Sequence, residues 1–131
     1  MKYAISVDKT FPARHAVKLQ NRPLEPMHEH LWHVKVTVGR ASLDDWGIVM
    51  DFEKLADLLE QIIAPLRGQC INDIAPFAGP SRRFPSPTAE CVAEWIADAL
   101  IGRLPENVSL WTVQVRETEG CTAIFRPQSG G

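Results

Sequence analysis

The chain has 131 residues, enough for one domain built around one core. Hydrophobic residues make up 45% and charged residues 23%, which excludes a disordered or fibrous chain and fits an ordinary globular domain. The net charge of −2 supplies no basic field for nucleic acid or an anionic membrane, and no apolar run approaches the length of a membrane span. Met1 to Asp8 is too short and too soon charged for a signal peptide. Three cysteines without a Cys-x-x-Cys pair read as reduced thiols, so a cytoplasmic protein is expected.

Tyr3, Ile5 and Val7 alternate with Lys2, Ser6 and Asp8, the period of a first strand. The same odd-numbered phase runs through Phe11 and Ala13 to His15, with Pro12 pointing to an edge or a bulge. Asn21-Arg22-Pro23 and Glu25-Pro26 mark a loop. A second strand is expected from about residue 28 to Arg40, with Trp32, Val34, Val36 and Val38 on one face and His33, Lys35 and Thr37 on the other. Asp44-Asp45-Trp46-Gly47 reads as a turn and Asp51 as a helix N-cap. Leu55, Leu58, Leu59, Ile62, Ile63 and Leu66 then recur at helical spacing until Pro65 ends or kinks the helix.

Residues 67–87, rich in proline, glycine and arginine, predict a long functional or mobile loop. A second helix is expected to open with Ser86 as N-cap and Pro87 at its first position, burying Val92, Trp95, Ile96, Ala99 and Leu100. A third strand, Val108 to Glu117, points Trp111, Val113 and Val115 inward with Glu117 in the same phase. Glu119-Gly120 turns the chain into a fourth strand, Cys121 to Arg126. The expected fold class is α+β: one four-stranded antiparallel sheet with two helices on one face, in the order ββααββ. Residues 1–126 form that domain and 127–131 a disordered tail. Exposed sheet edges predict edge-to-edge oligomerisation.

The strand phase carries the chemistry. Run backward from Trp32, it places His28 and His30 on the apolar face, roughly 6–7 Å apart at Cα. If the first two strands pair antiparallel, His15 converges on them. Three neutral imidazoles plus an open position make a catalytic zinc arrangement. His33 faces the other way. A packed His15 and an incidental His-x-His are the plain alternative. Glu117, at the inner end of an apolar strand face, is either an exposed terminal carboxylate or an acceptor for a ligand with parallel N–H donors, such as the amino-pyrimidinone edge of a pterin. Thr88 and Glu90 are helix-start residues or substrate contacts. Glu25 is a surface charge or a base beside the metal. Arg82 and Arg83 lie in a solvated loop or hold a phosphate. Cys91 and Cys121 read as packed thiols rather than nucleophiles.

The ordered set Phe11-x-Ala13-x-His15, His28-x-His30, Gly47-x-Val49-Met50-Asp51-Phe52, Pro87-Thr88-x-Glu90 and Glu117-Thr118 resembles the 6-pyruvoyl-tetrahydropterin synthase family, which includes the 6-carboxy-tetrahydropterin synthases. The likeness spans roughly residues 3–126. It implies the tunnelling fold, in which three ββααββ units close a barrel that commonly stacks as a hexamer. It also implies zinc on His15, His28 and His30, and a pterin anchored by Glu117 and contacted by Thr88 in a pocket shared between subunits.

The chain departs from the family pattern at three places. Leu24 stands where the family usually has a cysteine base, four residues before the first histidine of the pair, whereas Glu25 matches a variant with glutamate one residue later. His28-Glu29-His30 replaces His-Gly-His. The Asp-His pair found ahead of a Leu-Asn sequence is absent, since Leu66-Arg67-Gly68-Gln69-Cys70 precedes Ile71-Asn72. Losing a positioned acid or base costs about 10²–10⁴ in rate, so the standard synthase reaction is not expected. Glu25 is the remaining general base. A carboxylate beside a dication is a weak base, which favours a milder lyase step such as retro-aldol cleavage of the pterin side chain. A non-catalytic pterin-binding homologue and a structural or regulatory oligomer of the same fold remain the alternatives.

Overall fold

A computed structural model of the chain describes residues 2–127. Its elements are β1 (Tyr3–His15), β2 (His28–Arg40), α1 (Phe52–Ile63), α2 (Ala89–Ile101), β3 (Ser109–Thr118) and β4 (Cys121–Phe125), with short 3₁₀ turns at Ala64–Leu66 and Ile71–Asp73. The strands form one antiparallel sheet in the order β1-β2-β3-β4. The expected tail, 127–131, lies outside the described residues apart from Pro127.

β1 keeps its phase for its whole length. Phe11, Ala13 and His15 are buried while Pro12 and Arg14 are exposed. Pro12 is tolerated because β1 is an edge strand. Its carbonyl points away from β2 and accepts from the Gly68 N–H at 2.7 Å, so its nitrogen also faces outward, where the β1–β2 ladder needs no donor. Arg14 N–H donates to Gln69 O at 2.9 Å, and the segment from Gly68 to Cys70 thereby runs beside the last turn of the edge.

Both helices cover the face that carries Trp32, Val34, Val36 and Val38. Leu55, Leu59, Ile62 and Ile63 of α1 and Val92, Ala93, Ile96, Ala97 and Leu100 of α2 meet those strand residues in one contiguous core. Each large apolar side chain buried there contributes about 1.5–3 kcal/mol. Asp51 caps α1 by accepting from Glu53 N–H at 2.8 Å. The α-helix ends at Ile63, and Pro65 falls in the tighter turn that follows.

Two expectations need correction. α2 begins at Ala89, and its N-cap is Thr88, whose hydroxyl accepts from Cys91 N–H at 3.1 Å, so Ser86 caps nothing. Pro87 lies outside the helix, with its carbonyl turned to His15 Nδ1. Trp111 does not face the core. The β2–β3 register passes from Thr37↔Thr112 to Val38↔Leu110, which leaves Trp111 as the extra residue of a β-bulge. Its indole lies over Gly39 on the far side of the sheet, and Leu110 packs toward the core in its place. Within residues 67–87, Phe77 and Phe84 are buried and stacked 5.3 Å apart, and Arg83 bonds Glu94 at 2.9 Å and also pairs with Asp98.

Candidate metal centre

The antiparallel register sets His15 directly opposite His28 and Ala13 opposite His30. Because both strands alternate, the three rings emerge on the helix-covered face beside Trp32. Ring centroids are 4.6 Å apart for His15 and His28, 5.4 Å for His15 and His30, and 4.5 Å for His28 and His30. One nitrogen from each ring lies within 4.8 Å of the other two. His33 is on the opposite face, paired across to Thr10 and Arg116.

Backbone carbonyls orient two of these rings. His15 Nδ1–H donates to Pro87 O at 2.8 Å, and His28 Nδ1–H donates to Pro26 O at 2.9 Å. Each bond leaves Nε2 as the free lone pair of the neutral ring. A carbonyl or carboxylate behind the ring is the usual support of a metal-ligating histidine. The end of β1 is clamped as well: Ala16 N–H donates to Asn72 Oδ1 at 2.8 Å, and Asn72 Nδ2 returns a bond to Ala16 O at 2.9 Å. Trp32 packs edge-on against His15 at 4.8 Å and donates its indole N–H to Ala13 O.

Two carboxylates face the cluster. Glu117 Oε2 lies 3.0 Å from His15 Nε2 and 3.9 Å from His30 Nε2. The closer approach is out of line for a hydrogen bond, so His15 Nε2 and Glu117 Oε2 are both buried without a satisfied partner. Two buried polar atoms that face each other without a partner are costly, and a cation beside them removes that cost. The donor set therefore fits a metal ion: three imidazole nitrogens, two of them braced from behind, with an open remainder.

The electrostatics draw positive charge to the Glu117 side of the cluster, where a proton on His15 and a metal ion compete for the same place. Close contact with His15 holds the Glu117 carboxyl below the usual range, against the opposing effect of burial. Burial disfavours a charged His15 ring, but Glu117 and the Pro87 carbonyl outweigh it and raise the group above its ordinary value. His30 is lowered, by burial and then by its neighbour His28.

Glu25 is held at the rim. Its Oε1 accepts from Val17 N–H at 3.0 Å and lies 3.7 Å from His28 Nε2, while its own N–H donates to Val17 O at 3.2 Å. Thr88 sits next to Pro87 and uses its oxygen as the α2 cap. Arg67 and Gly68 occupy the segment where the family pattern has an acid and a histidine. Arg67 grips Glu60 through two bonds, at 2.8 and 2.6 Å, and also reaches Thr10 O at 2.9 Å. The residue there is a strut, not an acid. The Pro87 and Pro26 carbonyls and the Asn72 clamp were not foreseen. Backbone carbonyls carry no residue signature, and only the asparagine after Ile71 could have been flagged.

A four-stranded antiparallel sheet with two helices on one face and three imidazoles gathered at the paired ends of β1 and β2 defines a tunnelling-fold protein with a candidate metal centre. The sequence model described as "6-pyruvoyl tetrahydropterin synthase" matches residues 4–128, and the chain belongs to that family. It is 31% identical over 110 residues to the dihydroneopterin monophosphate aldolase of Pyrococcus furiosus, covering 84% of this chain and 85% of that one. It is 32% identical over 108 residues to the 6-carboxy-5,6,7,8-tetrahydropterin synthase of Bacillus subtilis, covering 80% and 71%. The solved structure of Caenorhabditis elegans 6-pyruvoyl tetrahydropterin synthase superposes with a TM-score of 0.77 at 18% identity, over 96% of each chain, which supports the fold. All three cysteines are free, and no helix among the described residues is long and apolar enough to cross a membrane.

Proposed function

We propose that the protein is a zinc-dependent lyase acting on the side chain of a dihydropterin, with Glu25 as general base. The observation that carries this reading is the pairing of a braced three-imidazole cluster with a carboxylate 3.7 Å from one of its rings, in a chain without the family's cysteine or Asp-His pair. The likeness to an aldolase that acts on dihydroneopterin monophosphate supports the same choice.

His15, His28 and His30 would hold Zn²⁺, which when bound supplies a Lewis acid for the side-chain hydroxyls. Glu25 takes the proton from the hydroxyl on the departing carbon of the bond to be cut. That carbon–carbon bond breaks, a small aldehyde leaves, and the bonding electron pair passes into the conjugated heterocycle. The same carboxyl then returns the proton to the carbon that stays. One group serving as base and then acid suits a retro-aldol step, which needs no second proton carrier.

Glu117 anchors the heterocycle by offering two oxygens to its parallel N–H donors once the imidazoles are occupied by the cation. Thr88, whose oxygen caps α2, keeps its hydroxyl hydrogen to donate to substrate. The functional form is a homotrimer or hexamer. Support comes from the uncovered edge of β4, from the part of the β1 edge ahead of Thr10, and from the exposed Tyr3, Ile48 and Phe52, which line a cavity at the opposite end of β1 from the histidines.

The test is aldehyde release from 7,8-dihydroneopterin and its monophosphate by zinc-loaded protein. The reading predicts turnover that stops with chelator and pterin binding that is lost in Glu117→Ala. Binding without turnover of either compound would make the protein a non-catalytic pterin binder instead.

A further inference from the structure

Two side chains grip one peptide group beside the metal centre, from opposite sides. The peptide joining Ala16 to Val17 is trans, so its C=O and N–H point in opposite directions within one rigid plane. Its oxygen accepts from Asn72 Nδ2 at 2.9 Å, and its N–H donates to Glu25 Oε1 at 3.0 Å. Asn72 Oδ1 also accepts the Ala16 N–H at 2.8 Å, so the asparagine bonds both main-chain groups of Ala16 as a paired strand residue would. Its amide can take only one orientation there, because the N–H and the carbonyl of Ala16 require opposite ends of it.

The two functional side chains that flank this peptide are held unequally. His15 has supports of its own: the β1–β2 ladder opposite His28, and the Pro87 carbonyl behind Nδ1. Glu25 lies between β1 and β2, and its side-chain and main-chain hydrogen bonds both end on Val17. The place of its carboxylate, 3.7 Å from His28 Nε2, therefore follows the tilt of the Ala16–Val17 plane. Asn72 fixes that plane to the body of the domain, since it sits on the 3₁₀ turn Ile71–Asp73, whose Ile71 is fully buried in the core. Hydrogen bonds at the two ends of one peptide also polarise it in the same sense, so each strengthens the other.

We propose that Asn72 is a positioning residue for the general base: it holds the Ala16–Val17 peptide so that Glu25 presents its carboxylate to the histidine cluster. The base role rests on the lyase reading. The placement of the carboxylate stands on the hydrogen bonds alone.

The experiment compares wild type, Asn72→Ala, Asn72→Asp, Glu25→Gln and the double variant Asn72→Ala/Glu25→Gln, each zinc-loaded. It reads aldehyde release from 7,8-dihydroneopterin and its monophosphate, zinc content, and amide exchange at Val17 relative to the β2 core. Asn72→Ala should lower kcat by about 10–100-fold with KM within about threefold, the scale of a base displaced by about 1 Å. Zinc content should stay within about a fifth of wild type, because His15 keeps its own supports. Exchange of the Val17 N–H should quicken at least about tenfold. Asn72→Asp keeps an acceptor for the Ala16 N–H but has no donor for the Ala16 carbonyl. It should lose kcat nearly as far, and it serves where Asn72→Ala does not fold. In the Glu25→Gln background, Asn72→Ala should lower kcat by less than about a further twofold, since the group it positions is already gone. A purely structural asparagine would give the same fold-loss in both backgrounds. That result, or Asn72→Ala keeping more than about half of wild-type kcat, would overturn the proposal while sparing the lyase reading. If wild type releases no aldehyde from either compound, the lyase reading fails and Val17 exchange decides the placement. About a tenfold rise in Asn72→Ala would uphold it, and an unchanged rate would overturn it.

Discussion

Replacing Glu25 by glutamine separates its chemical work from its structural work. The side chain does two things: it accepts the Val17 N–H at 3.0 Å, and it brings a carboxylate to 3.7 Å from His28 Nε2. Glutamine keeps an amide oxygen for Val17, so the fold should change by less than about 0.5 kcal/mol. It removes the base, which should lower kcat by about 10²–10⁴, or roughly 2.7–5.5 kcal/mol of transition-state stabilisation. KM should move by no more than about threefold, because the heterocycle is held elsewhere. Glu25→Ala should show the same loss of kcat and a further destabilisation of about 1 kcal/mol from the released Val17 N–H. The assay is aldehyde release by zinc-loaded protein under saturating pterin, with metal content checked in each variant. If Glu25→Gln keeps more than about a tenth of wild-type kcat at equal metal content, the base lies elsewhere and the proton-transfer argument is wrong.

Glu60 offers a pH test free of the metal. Its bonds with Arg67, then Lys9, hold its carboxyl at about 2, against 4.5 for the unperturbed group. A depressed carboxylate stabilises the fold above its unfolded value, and that stability is lost as pH falls from about 4.5 toward about 2. The side chain is 35% exposed, so solvent screening limits the effect to about 1 kcal/mol. Urea melts of Glu60→Gln should show that deficit at pH 7 and a shrinking gap below pH 4.5, and a gap constant through that range would refute it. Gly39→Ala places a methyl carbon 2.4 Å from Trp111 Nε1. The bulge must shift, at about 1–3 kcal/mol, with a change in tryptophan emission, and unchanged stability and emission would show that Trp111 does not rest there.

The site's placement was readable because strands have an exact period of two. His15, His28 and His30 could be assigned to the core face from Phe11, Ala13 and Trp32 alone, since β1 kept its phase past Pro12 by lying at an edge. The end of α1 was equally local, as Pro65 lacks the N–H that an interior helical position needs. What the sequence hid was non-local or had no side-chain signature. Trp111 reads as a core residue by alternation, and only the pairing with β2 creates the bulge that turns it over Gly39. Ser86 and Thr88 are both competent caps, and the choice between them depends on where Pro87 must sit to reach His15. The 67–87 segment looks like a loose loop because Phe77, Phe84 and Arg83 find their partners on α2 and on one another.

The most direct measurement is the zinc content of the purified, zinc-supplemented protein and of His30→Ala after extensive dialysis. Three imidazoles, two of them braced by backbone carbonyls, should retain about one zinc per chain. Removing one of three ligands should weaken binding by on the order of 10²–10³, if roughly 10–16 kcal/mol for a four-ligand zinc site divides evenly among its ligands. Less than about a tenth of a zinc per wild-type chain, or equal retention by the variant, would contradict a metal centre at His15, His28 and His30 and remove the basis for lyase chemistry there.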